Sequence, residues 1–142
     1  MNRLKPFAVV IPAHNEAENI SAVILSCKDA FRESPIFLVD DASSDQTASL
    51  GAAAGAEVVR LSSRFGAWAA IQTGMRYAQR LGNYTVLTMD ADGQHEALMA
   101  PSLLAEMQVT GANIVVGSAP SRGSPLRRVA WRILRIASGF PI

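Results

Sequence analysis

Apolar and polar positions fall into alternating blocks along this chain. Phe7-Ala8-Val9-Val10-Ile11 is apolar throughout, the pattern of a strand buried on both faces, and Pro12 is expected to stop it. Ile20, Val23, Ile24 and Cys27 then recur at helical spacing, with Asn15 as a candidate cap and Glu16 and Glu18 placed for the first turn. Pro35-Ile36-Phe37-Leu38-Val39 predicts a second strand. Ser43, Ser44 and Asp45 are candidate caps for a helix running to Ala54 and closed by Gly55. Glu57 to Leu61 predicts a third strand. Gly66-Ala67-Trp68 opens a helix to about Leu81, with Ala70, Ile71, Gly74, Met75 and Ala78 facing inward. Tyr84 to Met89 is a fourth strand, Pro101 starts a helix to about Val109, and Asn113 to Gly117 is a fifth strand.

Strands alternating with helices predict an α/β fold: a mostly parallel sheet with helices on both faces, in one domain spanning residues 1–142. Three strands end in polar clusters, at Pro12 to Glu16, Asp40 to Asp45 and Asp90 to His95. In a parallel sheet those ends share one edge, and ligands bind there.

Composition sharpens the picture at four points. Hydrophobic residues make up 49% of the chain and the mean hydropathy is +0.18, which argues for a well-buried core. No apolar run reaches the ~18 residues of a membrane span, and Pro6 and Pro12 interrupt any leader-like N-terminus. A lone cysteine, Cys27, excludes an internal disulfide and fits a reducing, cytoplasmic setting. The net charge of +1 conceals a segregation: five of the 13 basic residues, Arg122, Arg127, Arg128, Arg132 and Arg135, follow Ser118, and no acid does. An acidic body with a basic end suggests an anionic partner for that end; no nucleic-acid partner is expected.

Asp90-Ala91-Asp92-Gly93-Gln94 carries the most specific chemistry. One residue separates the two acids, so an extended chain points both carboxylates the same way. Gly93 permits a sharp turn after them. Two oxygen ligands beside an amide suit a hard divalent cation that keeps positions open for phosphate. Taken alone, an Asp-x-Asp pair in a turn is more often a pair of solvated or capping acids, and its place directly after a buried strand favours the metal reading. Neither a dinucleotide fingerprint nor a P-loop follows the first strand, so a diphosphate held here needs a cation.

Three motifs, Val9-Val10-Ile11-Pro12-Ala13-His14-Asn15-Glu16, Val39-Asp40-Asp41-Ala42-Ser43-Ser44-Asp45-Gln46-Thr47 and Asp90-Ala91-Asp92-Gly93-Gln94-His95, together resemble the family 2 glycosyltransferases. The nearest branch resembles the dolichyl-phosphate mannosyltransferase and polyprenyl-phosphate glycosyltransferase group. The resemblance implies a GT-A, Rossmann-like fold and inverting sugar transfer from a GDP- or UDP-linked sugar. It implies that Pro12, Ala13, His14 and Glu16 border the nucleotide, that Val39 and Asp41 hold base and ribose, and that Ala91 offers backbone to it. Asp90, Asp92 and Gln94 would surround Mg²⁺ or Mn²⁺, with Asp92 the catalytic candidate. Capping is the competing role for Asp40 and Asp45, and a loop position for His14.

Departures from the family pattern are specific. Arg64-Phe65-Gly66-Ala67-Trp68 stands where the family commonly has an Asn and a Gly-Lys-Gly pattern. Gly117-Ser118 is followed by Ala119, not the usual arginine, leaving Arg122 as a substitute. The family's catalytic domain normally continues well beyond Pro141-Ile142.

Ser124-Pro125 opens a basic amphipathic helix over residues 124–138, with Leu126, Val129, Ile133 and Ile136 on one face and Arg127, Arg128, Arg132 and Arg135 on the other. Such a helix suits an anionic membrane surface, with Arg127 or Arg128 meeting an acceptor phosphate; packing on the sheet is the alternative. A hydroxyl acceptor needs a general base, and no residue is convincing in that role, His95 included. A phosphate acceptor needs none, which favours a polyprenyl phosphate over another glycan acceptor, at the cytoplasmic membrane face. A nucleotidyltransferase, or a nucleotide-sugar binder without turnover, are the competing functions.

Overall fold

The computed structural model describes residues 7–93, 97 and 100–117. Four strands, β1 (Ala8–Ala13), β2 (Ile36–Asp40), β3 (Glu57–Arg60) and β4 (Val86–Thr88), alternate with helices α1 (Ile20–Ala30), α2 (Thr47–Ala53) and α3 (Ala67–Arg80). A fourth helix, α4 (Ala100–Thr110), follows β4. The sheet order is β3-β2-β1-β4 and every pairing is parallel. The chain therefore winds outward from β1 to β3, then crosses back through α3 to place β4 on the other side of β1. That reversal opens a crevice at the carboxyl ends of β1 and β4.

The period of two along the strands feeds two core layers. Val9, Ile11 and Leu38 pack with Ile20, Val23, Ile24 and Cys27 of α1 on one face. Ala8, Val10, Phe37 and Val39 pack beneath Ala70 and Ala78 of α3 on the other. Helices thus cover both faces, as the alternation of blocks predicts. Close approach of α3 depends on Gly74: a Cβ there would lie 2.4 Å from Cγ1 of Val10 and 2.9 Å from Cγ2 of Val39.

Several boundaries differ from the expectation. Strand β1 runs through Pro12, which pairs with Val39, to Ala13. Even-numbered backbone groups of β1 face β4, as Ala8 N–H donates to Thr85 and Val10 accepts from Met89. The ladder to β4 ends there, so the N–H that proline lacks has no partner to lose. Asn15 does not cap α1, which begins five residues later. It turns the chain at φ 55° and spends its side chain on another loop.

Met75 is exposed rather than inward, because the buried stripe of α3 is Ala70, Gly74 and Ala78. Asn113 to Gly117 forms no strand: among the described residues nothing pairs with the outer edge of β4, and Ile114 and Val116 are exposed. No described helix is long and apolar enough to cross a membrane.

Candidate active site

An open cleft of about 260 Å³ lies at the carboxyl ends of β1 and β4. Pro12, Ala13, His14 and Glu16 line it from the end of β1, and Asp41 from the end of β2. Asp90, Ala91 and Asp92 enter from β4, and Arg64, Gly66 and Ala67 from the turn into α3. A larger groove of about 550 Å³ lies at the amino end of β4, between α3 and α4. Its lining holds no acid, histidine or lysine, whereas the smaller cleft gathers Glu16, Asp41, Asp90, Asp92 and His14.

Two loops on the rim are laced together. Asn15 N–H donates to Ser43 Oγ at 2.9 Å, Glu16 N–H to Thr47 Oγ1 at 2.8 Å and Ala17 N–H to Asp45 Oδ2 at 3.1 Å. In return Ser44 N–H donates to Asn15 Oδ1 at 2.9 Å. The loop after β1 therefore takes its shape from side chains of the loop after β2. Asp45 also accepts from the backbone and hydroxyl of Thr47, and the Thr47 hydroxyl bond is the first cause holding its carboxyl below the usual range. Asp40 is wholly buried, accepts Ser43 N–H at 3.1 Å and pairs with Arg60 Nε at 2.9 Å. Both acids thus brace turns, the alternative role that the sequence left open, while the N-cap of α2 is Gln46 and carries no side-chain cap bond.

Asp41 anchors the opposite wall. One carboxylate oxygen accepts Phe65 N–H and the other Gly66 N–H, each at 2.7 Å. Gly66 sits at φ 92°, a conformation that L side chains rarely adopt, and is the N-cap of α3. The Asp41 carbonyl meets His14 Nδ1 at 2.7 Å. A carbonyl only accepts, so Nδ1 carries a proton and Nε2 is left to accept from Asn15 Nδ2. His14, Asp41 and the start of α3 are thereby one hydrogen-bonded wall.

Asp90 and Asp92 present exposed carboxylates, while Ala91 between them is buried in the α1-side core. Burial of Met89 and Ala91 holds the segment, with Cys27 Sγ 3.7 Å from Met89 Sδ. Desolvation pushes the Cys27 thiol up to about 11, so it packs and does not react. Two all-oxygen donors on one cleft suit a hard cation. Among the described residues no three His, Cys, Asp or Glu side chains gather to hold a metal. Asp90 and Asp92 thus offer two of the oxygen donors that a hard divalent cation takes.

Of the expected site residues, Pro12, Ala13, His14, Glu16, Asp41, Asp90, Ala91 and Asp92 share the cleft. Val39 does not: its side chain is fully buried beneath α3, since the alternation of β2 turns it into the core. Gln94, His95, Arg122, Arg127, Arg128 and the basic helix of residues 124–138 lie outside the described residues. Pattern reading missed Arg64 as a wall of the cleft, and Ser43 and Thr47 as braces. For Arg64 the available signal was its place two residues before a glycine that opens a helix after a strand.

The Glycosyl transferase family 2 description matches residues 8–140. Undecaprenyl-phosphate mannosyltransferase of Micrococcus luteus is 32% identical over 77% of this chain and 46% of its own length. Polyprenol monophosphomannose synthase of Mycolicibacterium smegmatis is 33% identical over 89% of this chain and 49% of its own length. The chain therefore spans about half the length of these curated relatives.

Glucosyl-3-phosphoglycerate synthase of Mycobacterium tuberculosis, solved with phosphoglyceric acid, superposes with a TM-score of 0.72 at 26% identity, covering 93% of this chain and 50% of that one. The same enzyme with Mn²⁺, UDP-glucose and phosphoglyceric acid gives 0.60 at 25% identity, over 77% of this chain and 41% of that one. The parallel sheet is thus of the GT-A kind, and the chain belongs to glycosyl transferase family 2.

Proposed function

We propose that this chain is the donor-binding part of a metal-dependent inverting glycosyltransferase that moves a sugar from a nucleotide diphosphate to a polyprenyl phosphate. One observation carries the reading: Glu16, Asp41, Asp90 and Asp92, from three strand ends, line a single cleft at the reversal of strand order. The relatives' names supply the acceptor class, and the Mn²⁺ and UDP-glucose complex of a structural neighbour supplies the donor class.

Pro12, Ala13, His14 and Glu16 border the nucleotide, Asp41 contributes at base and ribose, and Ala91 offers backbone. Asp90 and Asp92, with Gln94, hold Mg²⁺ or Mn²⁺, and Asp92 is the residue on which catalysis depends most. Bound there, the cation stabilises the negative charge that grows on the departing diphosphate. The laced loops keep His14 and Glu16 fixed while the donor is bound, so orientation is supplied before reaction. An anionic phosphate acceptor attacks the anomeric carbon without a general base, with Arg122, Arg127 or Arg128 offsetting its charge. The basic helix of residues 124–138 would bring that acceptor from an anionic membrane surface on the cytoplasmic side.

Incubation with radiolabelled GDP-mannose or UDP-glucose, Mn²⁺ and a polyprenyl phosphate tests this. Label passing into organic extract, and lost in Asp92→Ala, is the expected result. Phosphoglyceric acid belongs in a parallel arm because the neighbour's complexes hold it. Label on that acid alone would replace the lipid acceptor. Nucleotide binding without transfer in any arm would favour a binding fragment, and release of pyrophosphate from a nucleoside triphosphate would favour a nucleotidyltransferase.

A further inference from the structure

From Val58 to Met89 the chain carries four arginines, Arg60, Arg64, Arg76 and Arg80, and no acidic residue. Most of that stretch is α3 and its two flanking turns. The helix buries Ala70, Gly74 and Ala78 against the sheet, half-buries Ile71, Thr73 and Tyr77, and exposes Trp68, Gln72, Met75, Arg76, Gln79 and Arg80, of which Met75, Arg76 and Gln79 border the groove beside α4. The exposed surface holds large apolar side chains: Phe65 is 63% exposed, Trp68 71%, Met75 44% and Leu81 54%. Arg76 and Arg80 are exposed among them. Fourteen residues make a strip roughly 20 Å long at ~1.5 Å per residue. No acid lies within α3 itself, although Tyr77 Oη donates to the Glu57 carboxylate at its flank; exposed aromatics beside basic residues are the composition of a surface that lies on anionic lipid.

The strip also adjoins the cleft. Arg64, Gly66 and Ala67 line the cleft, while Phe65 and Trp68, interleaved with them in sequence, point to solvent. A surface resting on Phe65 and Trp68 would hold the cleft mouth at the depth of lipid headgroups. That is where the phosphate of a lipid-linked acceptor lies. We propose that the outer face of α3, from Phe65 to Leu81, docks on an anionic phospholipid bilayer. Its residues are other than those of the basic segment after Ser118. The purpose assigned to it rests on the proposed lipid acceptor, but the docking is measured without any sugar transfer.

Vesicles of phosphatidylglycerol and phosphatidylcholine, with bromine on the acyl chains, test the proposal on the full chain. Trp131→Phe leaves Trp68 as the only tryptophan. Its emission is expected to shift to the blue and to be quenched on these vesicles, and to stay unchanged on pure phosphatidylcholine. Arg76→Glu with Arg80→Glu is expected to weaken co-sedimentation at least about ten-fold, since each basic residue near a charged membrane counts about five-fold. Sedimentation with Trp68 unquenched would overturn the proposal, because the protein would then be docking through another surface. So would blue-shifted emission before lipid is added, which would mean that the rest of the chain already covers the strip.

Discussion

Asp41 and Asp92 are both acids on one cleft, yet their positions assign them different work. Asp41 is 2% exposed and gives one carboxylate oxygen to each of two consecutive amides at the entry to α3. Asp41→Asn leaves only one acceptor oxygen, so one amide loses its partner. The expected cost is about 1–3 kcal/mol in urea unfolding, with α3 loosened at its first turn. Unchanged stability would mean that these bonds are dispensable. The two roles cannot be separated from sequence, where Asp40, Asp41, Asp45, Asp90 and Asp92 are simply acids after strands. Burial separates Asp40 and Asp41, which are enclosed, from Asp90 and Asp92, which are not, while Asp45 is exposed and is told apart by its bonds to Ala17 and Thr47.

At the scale of elements, the rim depends on loop lacing and on one close helix contact. Asp45 lies below the usual carboxylate range, chiefly through the Thr47 hydroxyl. Its bonds therefore stabilise the fold fully above the unfolded value near 3.8 and are lost as pH falls through the lower folded value. Asp45→Asn is expected to lower the urea midpoint at pH 6, and the gap to the parent should close as pH drops below about 3.8. A gap that stays constant with pH would contradict the brace. In the core, Gly74→Ala puts a Cβ 2.4 Å from Val10. Overpacking of this kind costs about 1–3 kcal/mol, and adding Val10→Ala should recover part of it. Full additivity of the two changes would argue against the contact.

Element types were legible in the chain, and several element ends were not. All-apolar runs such as Val9 to Ile11 and the Ala70, Gly74, Ala78 stripe name strand and helix through their periodicity. Pro12 was a misleading stop because whether a missing N–H matters depends on which neighbour it faces. Asn15 was a misleading cap because its side chain bonds to a loop 29 residues away. Asn113 to Gly117 reads as a strand, but β-structure needs a partner, and periodicity carries no information about one.

At the scale of the molecule, the order β3-β2-β1-β4 explains the site more than any single motif does. Reversal at β1 brings the loop of residues 14–16 beside Asp90 and Asp92, although more than 70 residues separate them in sequence. Sequence patterning identified those loops as sharing an edge. Arg64, which arrives through the turn before α3, was visible as a departure from the family pattern and by its place before a glycine that opens a helix.

The central claim is that this cleft binds a nucleoside diphosphate through a divalent cation on Asp90 and Asp92. Calorimetric titration of UDP and GDP into the chain, with Mn²⁺ and then with EDTA, tests it most directly. Binding of one nucleotide should appear with Mn²⁺, vanish in EDTA, and be lost when Asp90 and Asp92 are both changed to Ala. Equal affinity in EDTA, or undiminished Mn²⁺-dependent binding in the double variant, would contradict it.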